Sequence, residues 1–367
     1  MEHQGQIRRR PGEARARRAR VGRLAAAGVA ATALAGTVAA SASATVRHGA
    51  HASSSPYDFY KGKTIEVLVP NAPGGNIDTT ARVAAPYLQK ALGASGVRVV
   101  DVTGAGGVVG LDQLWNSPRD GLTVGYTNVP VALLTSLVGG KGITYHANLF
   151  TYLGRMTAQA RVVVVSNQSG ITKVSQLRGR TLKVPISGFD DSFYTMAALG
   201  HTLGFKPEFV SGFASVAAAT TSLGSGATDI EEGSLATLQP AIESHLVRPI
   251  LIETTGRVPS QFANLPRWST VAGTSNTGLV KAFVALVSIE GSYFFPPHVP
   301  TAAVYSFRHA MRKMFQEKAF KAAEKKAGSS LSWLDGKDEQ TAIVQLSKDM
   351  KPYLPLLRSD LKAAQGG

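Results

Sequence analysis

Ala72-Pro73-Gly74-Gly75-Asn76-Ile77-Asp78 and Gly104-Ala105-Gly106-Gly107-Val108-Val109-Gly110 are two glycine-rich turns. Each follows an apolar run, Thr64-Ile65-Glu66-Val67-Leu68-Val69 and 97–102, and each opens a helix-like pattern. Without a Cβ, glycine lets main-chain N–H groups approach a bound group closely. A helix start adds unpaired donors and the positive end of the helix dipole, so two starts side by side can hold a small anion without arginine. A carboxylate is the natural guest.

Outward from the first turn, Ala81, Ala84, Ala85, Leu88 and Leu92 recur at helical spacing. Asp78 stands where an N-cap belongs and Gly93 lies just past the last apolar position. Pro86 inside this helix is expected to remove one backbone bond and kink it near Arg82. After the second turn, Leu111, Leu114 and Trp115 supply a helix face, Pro118-Arg119-Asp120-Gly121 turns the chain, and 122–126 reads as a third strand. Strand, helix, strand, helix, strand predicts a parallel sheet with right-handed crossovers.

A second series begins with a strand at 161–165, a short helix ending near Leu177 and a strand at 181–184. Ser187-Gly188-Phe189-Asp190-Asp191-Ser192 then leads into a helix through Leu203, closed by Gly204. Strands are expected at 208–210, 227–230 and 248–252, and helices at 215–223 and 235–244. From Ser288 the chain passes Phe294-Phe295-Pro296-Pro297 and ends in helices at about 302–318 and 339–354. The resulting division is an export signal at 1–44, a linker at 45–57, a first lobe at 58–158, a second at 159–286, and a C-terminal helical segment at 287–367 that returns to the first.

With 367 residues, 44% of them hydrophobic, the chain can bury a sizeable core in two lobes. Its first 44 residues read as an address: arginines between Arg8 and Arg23, an apolar run at 24–40, and small residues at Ala40-Ser41-Ala42 and Ala42-Ser43-Ala44 suited to a signal peptidase. An uncleaved anchor is the alternative. Arg17-Arg18 resembles a twin-arginine signal, although Arg20 replaces the usual bulky apolar residue. Eight arginines and two glutamates of this stretch account for six of the formal net charge of +15. The remaining Lys and Arg are scattered, with no nucleic-acid pattern. No cysteine is present to form a disulfide or carry a lipid. The expected location is the periplasm or the outer face of the cell envelope.

Tyr60-Lys61-Gly62-Lys63 before the first strand, Pro-Gly-Gly-x-x-Asp-x-x-Ala-Arg from Pro73 to Arg82, Gly-Ala-Gly-Gly-x-x-Gly from Gly104 to Gly110, and Pro-x-Asp-Gly ending at Gly121 together resemble the Bug, or tripartite tricarboxylate transporter (TctC-like), solute-binding receptors. The resemblance implies a two-lobed periplasmic-binding-protein-like α/β fold of type II, each lobe a mainly parallel sheet flanked by helices, with a ligand cleft between. It also implies a monomer that captures a small organic acid without cofactor and hands it to a membrane permease. Position by position, Gly74, Gly75, Asn76, Asp78, Ala105, Gly106 and Gly107, with Asn128 past the third strand, would line the cleft from one lobe. Ser187, Asp190, Asp191 and Ser192 would face them from the other. The sequence departs from the family at Asn76, where serine or threonine is common, and at Val210-Ser211-Gly212-Phe213.

Asp190 and Asp191 are unexpected beside an anion site, because two carboxylates repel a diacid unless an ammonium, hydroxyl or cation lies between. As good capping residues, Asp78, Asp190, Asp191 and Ser192 also have a structural reading. A dinucleotide site is excluded, since Val109 stands where Gly-x-Gly-x-x-Gly needs its third glycine. Adjacent Glu231 and Glu232 are expected on opposite strand faces, one toward the cleft and one toward solvent, with solvation of both favoured. The eight histidines lack metal-ligand spacing. Trp115, Trp268 and Trp333 read as core or hinge packing. Two rival functions stay open: a sensor that reports to a membrane kinase, and an exported hydrolase or isomerase using Asp190, Asp191 or Glu231.

Overall fold

The computed structural model describes residues 55, 57–140, 142–158, 160–256 and 258–366. The export signal and nearly all of the linker lie outside them. The first part of the chain runs β1 (Thr64–Val69), α1 (Asn76–Leu92), β2 (Gly96–Asp101), α2 (Val108–Trp115), β3 (Thr123–Asn128), α3 (Val129–Val138) and β4 (Thr151–Thr157). Next come β5 (Arg161–Ser166), β6 (Thr181–Pro185), α4 (Asp191–Leu203), β7 (Lys206–Val210), α5 (Val216–Gly224), β8 (Ile230–Ser234), α6 (Leu235–Glu243), β9 (Val247–Glu253), α7 (Trp268–Val271) and α8 (Thr277–Val287). The chain closes with β10 (Gly291–Phe295), α9 (Thr301–Gln316), α10 (Lys318–Lys326), β11 (Leu331–Asp335), α11 (Gly336–Met350) and α12 (Leu354–Ala364).

A six-stranded sheet of order β11-β4-β10-β3-β1-β2 forms the first lobe, and the second holds β8-β5-β9 and the pair β6-β7. The expected parallel arrangement holds for β2-β1-β3 and for β6-β7. Elsewhere the pairing is antiparallel, and the sheets are mixed rather than mainly parallel. The cause is the return of the chain: β10 re-enters the first sheet against the direction of both β3 and β4. Two crossovers join the lobes, between Thr157 and Arg161 and between Val287 and Gly291. They are stitched together where Gly291 N–H donates to Thr157 Oγ1 at 2.9 Å.

β1 is apolar on both faces because helices cover both. Ile77, Ala81, Ala84 and Leu88 of α1 share one core with Val67 and Phe307, while Leu111 and Leu114 of α2 share another with Leu68. Burying each such large side chain contributes about 1.5–3 kcal/mol. Gly93 closes α1 in the left-handed conformation at φ 62° and Gly204 closes α4 likewise at φ 78°, as expected. α1 continues through Pro86 to Leu92. Its start differs from expectation, since Gly75 is the N-cap and Asp78 lies in the first turn. From there the carboxylate reaches back to accept from Gly74 N–H at 2.7 Å and pairs with Arg82 Nε at 2.6 Å, so it fixes the turn from inside the helix.

Glu339 in α11 is fully buried and accepts from Ser292 Oγ. Burial pushes its carboxyl up to about 8, against the opposing influence of Ser292, Arg155 and Arg308. The stability it supports is fully present below the unfolded value near 4.5 and is lost as pH rises through about 8. Glu231, also about 8, and Glu324, about 7, act in the same direction for the same first cause. Melting temperature is therefore expected to fall between about pH 5 and 8, with Glu339→Gln flattening part of that slope in a calorimetric pH series.

Candidate functional site

β1 lies between parallel β2 and β3, and α1 and α2 cover opposite faces of the sheet. The carboxyl ends of the strands therefore open at a topological switch point, where open α/β sheets form a ligand crevice. Both glycine turns stand there. The N–H groups of Asn76, Ile77 and Asp78 precede the first intrahelical donor, Thr79, and donate to no other group among the described residues. The same is true of Ala105 and Gly106 in the second turn, where the first internal donor is Gly107 to Gly104 O. No side chain caps α1 or α2.

The second turn is also shaped for packing. Cβ atoms at Gly107 and Gly110 would come within 3.0 Å of Pro70 O and 2.6 Å of Pro70 Cβ, so both glycines seat the turn on the end of β1. Ala105 holds the left-handed region at φ 48°, a strained state for a side chain with a Cβ. Gly106 looks the other way, toward the second lobe.

That lobe meets it directly. A Cβ at Gly188 would lie 2.9 Å from Gly106 N, and one at Gly106 would lie 3.1 Å from Asp190 Cβ. The two expected cleft segments are in van der Waals contact across the lobe boundary. Asp190 is the N-cap of α4, its Oδ1 accepting from Phe193 N–H at 3.2 Å and its Oδ2 from Ser187 Oγ at 3.3 Å. Burial, and then the charge of Asp191, push its carboxyl up to about 7.

Asp191 and Ser192 have a different task. Arg161, at the start of β5 and 3% exposed, binds both oxygens of Glu232 through Nε and Nη2, while Nη1 lies 3.0 Å from Asp191 Oδ2. Its Nη2 also donates to Ser192 Oγ at 3.1 Å. Glu253 faces Arg161 across the β5–β9 ladder and is 1% exposed, yet neither of its oxygens has a hydrogen-bond partner. Burial, then Glu232, holds that carboxyl well above its ordinary value. Glu231 and Glu232 are both buried, contrary to the expectation of solvation, because Glu232 serves Arg161 while Glu231 packs toward Thr220 on the other face.

Asn128 occupies the N-cap position of α3 without capping it, and its Oδ1 is buried with no partner. α3 itself offers few donors, since Val129 N–H goes to Glu290 O at 3.2 Å and Pro130 has none. No cluster of metal-ligating side chains occurs among the described residues. Trp268 is core, its Nε1–H donating to Thr202 Oγ1 at 2.9 Å.

The fold, two lobes joined by two crossovers, is similar to that of solved periplasmic binding proteins. The periplasmic binding protein BugD covers 83% of this chain and 99% of its own at 19% identity with a TM-score of 0.63. MatC from Rhodopseudomonas palustris, solved with bound malate, covers 81% and 98% at 21% identity with a TM-score of 0.63. In sequence, the chain is similar to Protein BugT of Bordetella pertussis, 41% identical over 83 residues, which is 22% of this chain and only 25% of that relative. No protein-family model matches. BugD and BugT bear the name of the receptors that the glycine turns resemble.

Proposed function

We propose that the chain is an extracytoplasmic solute-binding receptor that captures a small carboxylate-bearing organic acid between its lobes and delivers it to a membrane permease of the tripartite tricarboxylate type. One observation carries this: the main-chain donors of Asn76, Ile77, Asp78, Ala105 and Gly106 stand unspent at the topological switch point of the first sheet. Donors of this kind bind carboxylates, and the structural neighbour MatC holds malate. Gly74, Gly75 and Gly107 shape the turns, Asn128 borders them, and Ser187 and Asp190 supply the opposing wall. Export to the cell envelope accords with the arginine-rich leader and with the periplasmic neighbours.

Binding favours the closed arrangement only through contacts made to both lobes at once. Calorimetry against a panel of small organic acids, followed by small-angle scattering, is expected to give one saturable site and a smaller radius of gyration on loading. Binding with no change in scattering would sink the clamp. A catalytic use of Asp191 is disfavoured by its commitment to Arg161, and of Glu231 by its burial beside Thr220. Recovery of the bound compound unchanged after long incubation separates receptor from hydrolase.

A further inference from the structure

The crevice has two chemically opposite walls. From the first lobe come N–H donors, those of Asn76, Ile77, Ala105 and Gly106, and the carboxylates nearby, Asp78 and Asp101, are both paired with Arg82, Asp78 also accepting from Gly74 N–H. From the second lobe comes Asp190, whose Cβ lies against Gly106 at the seam. Among the described residues its carboxylate accepts hydrogen bonds from one main-chain amide and one hydroxyl, both beyond 3 Å. The buried cation in reach of this wall, Arg161, is already bound to Glu232, Asp191 and Ser192.

We propose that the ligand carries a protonated nitrogen in addition to its carboxylate, and that Asp190 is the residue that selects it. The inference rests on the crevice being the ligand site and goes on to name the class of ligand. A molecule with a negative end and a positive end matches donors on one wall and an uncompensated carboxylate on the other. A diacid brings its second charge against Asp190 in a seam where closure excludes water and like charges are weakly screened. Asn128 Oδ1, buried without a donor, is a second acceptor on the first-lobe side, and an ammonium offers three N–H groups to such acceptors. Burial, then the charge of Asp191, keeps the Asp190 carboxyl up at about 7 even though Arg161 acts against them, so the protein's own cation leaves this carboxyl short of compensation.

Asp190→Asn tests this without disturbing the fold, because asparagine is an equally good N-cap and can still accept from Phe193 N–H. Calorimetry compares 4-aminobutyrate with succinate, 5-aminopentanoate with glutarate, and L-α-amino acids with the matching diacids, on the wild type and the variant. The wild type is expected to bind an amino acid at least about tenfold more tightly than the diacid of the same length, in line with the loss of a charge-assisted hydrogen bond. The variant is expected to lose that preference while keeping the wild-type melting temperature. Tight diacid binding by the wild type, or an undiminished amino-acid preference in Asp190→Asn, overturns the inference and leaves the receptor function standing. Binding of neither class overturns both.

Discussion

Gly188→Ala is expected to weaken ligand binding about five- to hundredfold while leaving each lobe folded. The new methyl group would stand 2.9 Å from Gly106 N, closer than real Cβ contacts allow, so the lobes must part by a few tenths of an ångström at the seam. Overpacking of this kind costs about 1–3 kcal/mol, which falls on the closed state alone because the contact exists only between lobes. Gly188 does not occupy the left-handed region, so alanine brings no backbone strain of its own. Scattering should show a wider unliganded particle and incomplete compaction on loading, with wild-type circular dichroism. Wild-type affinity in Gly188→Ala would show that the Gly106–Gly188 contact plays no part in closure. Gly106→Ala is a poorer probe, since its φ of 66° adds strain to the clash.

Arg161→Met is expected to destabilise the protein by about 3–5 kcal/mol, the cost of leaving buried carboxylates without their cation. Glu232 is 2% exposed and Asp191 5%, and Arg161 supplies the only ion pair of either among the described residues. Arg161→Lys should rescue little, because one ammonium cannot reproduce the fork that grips both oxygens of Glu232 while reaching Asp191 and Ser192. Chemical denaturation with its midpoint read by Trp268 fluorescence is a direct measurement. A loss under about 1 kcal/mol would mean that the carboxylates take up protons at little cost when the guanidinium goes. Since Asp191 and Ser192 open α4 beside Asp190, ligand affinity should fall as well.

The first lobe was legible where local signals sufficed. A β-branched run, a glycine turn and an alanine-leucine stripe place β1 and β2 within a residue and α1 to within its first turn. α3 was not legible: in Val129-Pro130-Val131-Ala132-Leu133-Leu134 every residue is buried, so no polar face marks the helical period. β4 was masked by Gly154 and Arg155 inside the strand, and β10 by the prolines that follow Phe294-Phe295. β8 begins three residues later than the strand expected at 227–230 and ends four later.

Of the site, the two turns and the Ser187 to Ser192 wall were readable because helix starts are local. Arg161 was missed. The only clue was a single charge opening an otherwise apolar strand, Arg161-Val162-Val163-Val164-Val165, which requires a buried counter-ion. Its partners come from α4 and β8, and no spacing rule joins elements so far apart in sequence. Asp78 shows a smaller limit: its capping chemistry was readable, but its reach back to Gly74 from within the helix was not.

β10 lies between β3 and β4, yet more than 130 residues separate it from either in the chain. During synthesis β1, β2 and β3 can pair early, but the facing edges of β3 and β4 must wait for residues 291–295, so the six-stranded sheet is completed only when the last quarter of the polypeptide has emerged.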